Sequence, residues 1–143
     1  MTERKTVPVV RQVVLDCTDA RSSAEFYRLL LDLSYRRGDE PPAAGAVDER
    51  GTDWLVLRNP GGVQLAFQQV DRLPEASWPD PDPVPQQVHL DLTVDSGEAL
   101  DAVHDRVLAL GGRLLADRRD DPEEPLRVYA DPAGHPFCVF VSA

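Results

Sequence analysis

Residues 129 to 140 read YADPAGHPFCVF, and residues 57 to 68 read LRNPGGVQLAFQ. Each sets Asn or Asp, then Pro, one residue and Gly between two apolar stretches. Proline fixes φ at the first turn position and glycine supplies the positive φ that follows, so each stretch is expected to be a hairpin. The same turn recurs 72 positions on, from Asn59 to Asp131, which raises the question of whether the surrounding elements recur as well.

They do. Upstream of the first turn, VPVVRQVVLDC (7–17) is β-branched and apolar, the signature of a strand. Ser22 with Glu25 reads as a capping box. Phe26, Leu29, Leu30 and Leu33 then mark one buried helical stripe. LSYRRG (33–38) follows as a short strand, and the charged, Pro- and Gly-bearing run 39–51 as a loop. TDWLVLRN (52–59) and VQLAFQQV (63–70) flank the first turn. The second set runs in the same order. VHLDLTV (88–94) is a strand, and Asp95 with Glu98 caps a helix carrying Leu100, Val103, Val107 and Leu110. Gly111 and Gly112 stop that helix. RLLAD (113–117) is a strand, and LRVYA and PFCVFV flank the second turn. Between the two sets lies 71–86, with prolines at 74, 79, 81, 83 and 85. That density excludes a helix or a central strand and predicts an extended connector, with Trp78 packed against something.

The sequence thus predicts a single α+β domain over residues 1–143, made of two tandem βαβββ modules at about 8–70 and 87–143. Helices cover one face of each sheet. The strands carry apolar residues on both alternating sets, so the uncovered faces are expected to curl together around a central cleft.

Bulk properties narrow the function. The chain has 143 residues and a net charge of −10. Such a surface repels phosphate backbones, so nucleic acid is not an expected partner, whereas a cationic ligand would be drawn in. No apolar run reaches the roughly 20 residues of a membrane helix. The N-terminus has no apolar core of signal-peptide length, which places the expected protein in the cytoplasm. Cys17 and Cys138 are the only two cysteines. They suit neither a disulfide framework nor a C-x-x-C site and read as small core residues.

Strand alternation selects the cleft-facing side chains. If Gln12 and His89 point inward, so do Val14, Asp16, Asp91 and Thr93, while Val13, Leu15, Cys17, Leu90, Leu92 and Val94 face the helices. The hairpins add Gln64, Ala66 and Gln68 in one half and Pro136, Cys138 and Phe140 in the other, with Trp54 beside them. An apolar cleft with a few convergent polar groups describes a small-molecule site. His89 is the candidate base and Asp91 its acidic partner. Gln12, Asp16, Trp54, Gln64, Ala66, Trp78, Cys138 and Phe140 are the candidate ligand-binding residues. His104 and His135 are expected to be structural.

The stretches VVLDCTDARSSAEFYRLLLDL, QQVHLD, ALGG and DPAGHPFC carry a resemblance to the vicinal-oxygen-chelate superfamily, the glyoxalase and bleomycin-resistance fold, in its glyoxalase-like branch. The resemblance implies a paired, homodimeric chain. It also implies, in members with metal, a His or Gln on the first strand and a Glu on the last strand of each half. The matching positions are Gln12 and His89, then Ala66 and Cys138. Two of the four lack the expected carboxylate, so neither metal nor other cofactor is expected. The function expected is binding or sequestration of a small molecule. The alternatives are a metal-independent lyase or isomerase using His89 and a cleft aspartate, and a structural dimer module with a collapsed cleft.

Overall fold

The computed structural model describes residues 9–81 and 83–142. Its elements run β1 (Gln12–Cys17), α1 (Ala20–Leu31), β2 (Ser34–Tyr35), β3 (Trp54–Arg58) and β4 (Gln64–Gln69) in the first half. The second half has β5 (Leu90–Val94), α2 (Gly97–Ala109), β6 (Arg113–Arg118), β7 (Leu126–Ala130) and β8 (Pro136–Val141). Each half forms its own four-stranded sheet, ordered β1-β4-β3-β2 and β5-β8-β7-β6. In both, the first strand pairs in parallel with the last, and the other pairings are antiparallel. The βαβββ repeat therefore holds in order, topology and register.

Local details differ from the sequence reading. The first strand was expected from residue 7; part of that run lies outside the described residues, and within them the strand begins at Gln12. The fifth begins at Leu90, leaving His89 just ahead of it. The cap of α1 is Asp19, whose Oδ1 accepts from the Ser22 backbone N–H at 3.1 Å. Glu25, free of capping, pairs with Arg28 and accepts from the Tyr35 hydroxyl at 2.8 Å. Ser96, not Asp95, caps α2, its hydroxyl accepting from Ala99 N–H at 3.1 Å. A side-chain oxygen at the N-cap satisfies an otherwise orphaned helix N–H, and Asp or Ser does this equally well. Composition alone therefore leaves the cap ambiguous by a residue or more.

The loop after β2 holds a fully buried charge. Asp39 Oδ2 accepts from the Val56 backbone N–H at 2.9 Å, continuing the ladder on β3 where β2 has ended. Arg36 and Arg50 pair with the same carboxylate at 3.1 and 3.0 Å, which supplies the opposite charge such burial requires.

The main core lies on the helix side of both sheets. Leu15, Cys17, Leu55, Leu57, Leu65 and Phe67 bury there with Phe26, Tyr27 and Leu30 of α1. Complete burial of each such side chain stabilises by about 1.5–3 kcal/mol. The two halves share this core: Phe26 meets Phe137 at 5.8 Å between ring centroids, and Tyr27 meets the same ring at 6.2 Å. Tyr27 also donates to Asp131 Oδ2 at 2.6 Å, both groups being buried. Asp131 Oδ1 in turn accepts from Ala133 N–H and His135 N–H, each at 2.9 Å. The repeated turn is thus pinned to the first half by its own aspartate, and Gly134 completes it at φ +96°.

Candidate functional site

Register decides which side chains share a face. In the first sheet Gln12 lies beside Gln64, Ala66 stands between Val14 and Val56, and Gln68 stands between Asp16 and Trp54. Gln12, Asp16, Trp54, Gln64 and Ala66 therefore stand on one face, opposite the Leu15 and Cys17 face that meets α1. Val14 and Asp16 are exposed while Leu15 and Cys17 are buried, as period-two alternation requires. Ala66 is fully buried, so a methyl group occupies that position.

In the second sheet Cys138 stands between Asp91 and Val128, and Phe140 stands between Thr93 and Leu126. His89 stands one pleat before Asp91, and its Nε2 lies 3.2 Å from Asp91 Oδ1. Its Nδ1 is 2.9 Å from Gln86 Oε1. Burial first, with the neighbouring Asp91 charge second, pushes the Cys138 thiol up to about 11. The Cys17 thiol is likewise pushed up to about 11, by burial in the main core above all. At neutral pH both are protonated, poor nucleophiles.

The connector closes over this second cluster. It is not the extended strut that its prolines suggest. Ser77 N–H donates to Val84 O at 2.7 Å and the Ser77 hydroxyl accepts from Val84 N–H at 3.1 Å, so the chain doubles back. Proline removes donors without preventing a single serine from clasping the two arms. Trp78, at the bend, lies flat on the His89 ring, with centroids 4.7 Å apart and planes 13° apart. It packs with Phe140, Leu115 and Ala116 onto a small second core of Leu126, Val128 and Cys138. Glu75 anchors the entry arm through an ion pair with Arg113 on β6.

What remains open is a cleft of about 570 Å³ between β1, the connector and the 133–136 turn. Its walls include Val14, Leu73, Pro74, Val84, Pro85 and Pro136. The polar groups there are Asp16, Gln68, Gln86, Gln87 and His135, and no Lys or Arg is among the described residues lining it. Of the ten candidate catalytic and ligand-binding residues Asp16 alone lines this cleft, joined by Val14, Gln68 and Pro136, which the alternation also turned toward it. His89, Asp91, Cys138, Trp78 and Phe140 gather beneath the connector, and Gln12, Trp54, Gln64 and Ala66 lie elsewhere on the first sheet's open face. His135, expected to be structural, places its Nε2 2.6 Å from Asp16 O and so bridges the halves. His104 is structural as expected, its Nδ1 lying 2.9 Å from the Tyr129 hydroxyl. Sequence reasoning passed over Leu73, Pro74, Val84 and Pro85 because a proline-rich run has no periodicity that would aim its side chains.

Two repeated modules, helices outside and an apolar cleft at their junction define a protein of the glyoxalase and bleomycin-resistance type. A family model described as "Glyoxalase-like domain" matches residues 12–140, and the chain belongs to that family, within the vicinal-oxygen-chelate superfamily. Solved structures agree on the fold. A hypothetical protein from S. aureus is 17% identical, with a TM-score of 0.66, covering 96% of this chain and 100% of that one. A glyoxalase/bleomycin resistance protein/dioxygenase family enzyme from Burkholderia phytofirmans is 16% identical, with a TM-score of 0.66 over 92% of this chain and 97% of that one. A mutant of the fosfomycin resistance protein FosX from Listeria monocytogenes, in complex with Mn(II) and 1S,2S-dihydroxypropylphosphonic acid, is 16% identical, with a TM-score of 0.67 over 96% of this chain and 95% of that one. No curated protein matches the sequence closely enough to count as a relative.

The metal that the superfamily implies is a poor fit here. The first half offers Gln12 and the buried methyl of Ala66, and the last-strand position of the second half holds a thiol where a carboxylate is needed. A hard ion such as Mn(II) requires oxygen donors, and this arrangement does not supply the pair of them.

Proposed function

We propose that the protein binds an apolar-bodied, neutral or cationic small molecule in the cleft between β1, the connector and the 133–136 turn. It does so without the superfamily's shared metal ion, and its role is sequestration rather than turnover. The observation that carries this reading is the cleft itself: about 570 Å³, walled by aliphatic and proline side chains, with one carboxylate and no lysine or arginine among the described lining residues. That volume lies within the range of small-molecule sites. The open space also counts against a module with a collapsed interior. Asp16, backed by a net charge of −10, favours a cation or a hydrogen-bond donor over an anion. We further propose that the chain works as a homodimer in the cytoplasm, which light scattering on purified protein and fractionation of cells would test.

A thermal-shift screen of chelator-treated protein against metabolites and antibiotics tests the binding role. A ligand held by the native state alone at 100 times its Kd adds about 2.7 kcal/mol of stability. The reading expects shifts from hydrophobic amines and none from isosteric carboxylates or phosphonates. Shifts from anions only, or shifts that vanish on chelation, would sink it.

A second reading has its own observation, the 3.2 Å approach of His89 Nε2 to Asp91 Oδ1. It is a metal-independent lyase or isomerase in which His89 takes a proton from substrate and Asp91 steadies the imidazolium. His89→Ala would then abolish turnover while ligand affinity persists; retention of turnover excludes this mechanism.

A further inference from the structure

The connector has two faces, and they serve different parts of the molecule. Its arms, 73–76 and 84–88, wall the cleft through Leu73, Pro74, Val84 and Pro85. Trp78, at the bend, is not among the residues lining that cleft. It packs instead on Leu126, Val128 and Cys138, with the His89 ring flat against it. Little else fastens the middle of the connector. Among the described residues, no backbone hydrogen bond joins 71–87 to a strand of either sheet. The Ser77 and Val84 bonds tie one arm to the other, not to the sheets. The Glu75 ion pair does reach β6, but Arg113 and Glu75 are 58% and 48% exposed there, and water screens such a pair. The ends are held: Val70 N–H donates to Cys17 O at 2.9 Å, and β5 begins at Leu90. A segment fixed at both ends and seated in its middle by one half-buried ring opens more readily than the sheets beneath it.

We propose that the connector is a hinged strap and that Trp78 is its latch. Seated, the indole holds both arms where they wall the cleft. Lifted, it frees the arms, opens that wall to an entering molecule and bares Cys138. Trp78 thus positions one side of a site whose occupant it does not touch. What enters rests on the cleft-binding reading, whereas the opening itself is measured on protein without ligand. A molecule lodged in the cleft meets both arms only when the strap is down, so it favours the latched position by that difference in affinity. The two cysteines report two levels of opening. Cys138 is 3% exposed and lies under Trp78, while Cys17 is fully buried in the main core. Lifting the strap uncovers the first thiol alone, and the second is reached only when the main core comes apart.

The test is alkylation of the native, reduced chain by iodoacetamide in mildly alkaline buffer, with each thiol followed by mass spectrometry. Cys138 is expected to react at least about tenfold faster than Cys17, because strap opening precedes global unfolding. Trp78→Ala should speed Cys138 by about 10- to 100-fold, and Trp78→Phe, which keeps a ring in the seat, should recover most of that. Glu75→Gln should leave both rates within about threefold, since its ion pair is exposed. Tyr27→Phe loosens the joint between the halves, so it should speed Cys17 by about 30-fold and leave Cys138 unchanged. Equal rates for the two thiols in the unaltered chain overturn the proposal, because opening would then be global. So does a Cys138 rate that Trp78→Ala leaves unchanged, or one that Tyr27→Phe raises as much as that of Cys17. Should Trp78→Ala fail to fold, the unaltered chain and Tyr27→Phe still decide. A failed amine screen would leave these rates as they are, and failed rates would leave the screen standing.

Discussion

Replacing Tyr27 by Phe removes one oxygen and tests how the halves are joined. The hydroxyl donates at 2.6 Å to Asp131 Oδ2, with both residues at most 2% exposed. Burial first, and the Asp131 charge second, hold the phenol well above its ordinary pKa, so it remains a donor across the working pH range. Asp131 Oδ1 is already committed to Ala133 N–H and His135 N–H, so nothing else in the turn replaces the lost donor for Oδ2. A hydrogen bond to a charged group contributes about 1.5–3 kcal/mol, and an acceptor stranded in the interior loses its hydration besides. Tyr27→Phe is therefore expected to lose about 2 kcal/mol. In a chain of this size that corresponds to a fall of about 4–8 °C in Tm. Urea unfolding followed by the fluorescence of Trp54 and Trp78 gives the same quantity from the midpoint. The m-value should be unchanged, because the surface exposed on unfolding is the same. The turn also positions His135 against Asp16 O, so cleft affinity should weaken along with stability. A loss below about 0.5 kcal/mol would refute the reasoning and leave the shared aromatic core as the sole joint between the halves.

Other expectations are simpler. Trp78→Ala uncovers the second core and frees the His89 ring, costing about 1–3 kcal/mol by urea unfolding, less than a fully buried Trp would; no change would mean the connector is merely tethered. Gly134→Ala is strained at φ +96° and drives a Cβ to 2.6 Å from Glu75 Cγ, so it should destabilise by about 1–2 kcal/mol, whereas Gly61→Ala meets nothing within 4 Å and is opposed by its φ alone. The thiols set an alkaline limit. Their native values of about 11 exceed the ordinary 9.0, so the folded state holds their protons more tightly. Their contribution is fully present below pH 9 and is lost as pH rises through about 11, and a stability profile flat across that window would contradict it. Alkylation should follow the same titration, slow in native protein at neutral pH and immediate once unfolded.

The helix caps show where sequence reading reached its resolution. Asp19 and Ser22, and likewise Asp95 and Ser96, are interchangeable as side-chain acceptors, and only the path of the chain into each helix chose between them. Asp39 was invisible for another reason. A charge in a polar, proline-bearing loop is ordinarily solvated, and its burial depends on β2 stopping early enough to leave the Val56 N–H unpaired. Of the site, the pleat assignments were legible: Asp91 beside Cys138, Ala66 beside Val14, Asp16 beside Gln68. Their grouping was not. The sequence set ten candidates around one hollow, and the structure divides them among three places.

Sequence alone determined the repeat, the hairpins and the faces of the first and last strands of each half, because turn chemistry and a period of two act over a few residues. It also determined that no paired set of carboxylates exists, since Ala66 is alanine in any fold. Tertiary structure decided where the connector goes, and with it which part of the cleft stays open. Proline restricts that segment without directing it; only the apolar patch of Leu126, Val128 and Cys138 on the second sheet gives Trp78 somewhere to pack, and only then is the His89 ring covered.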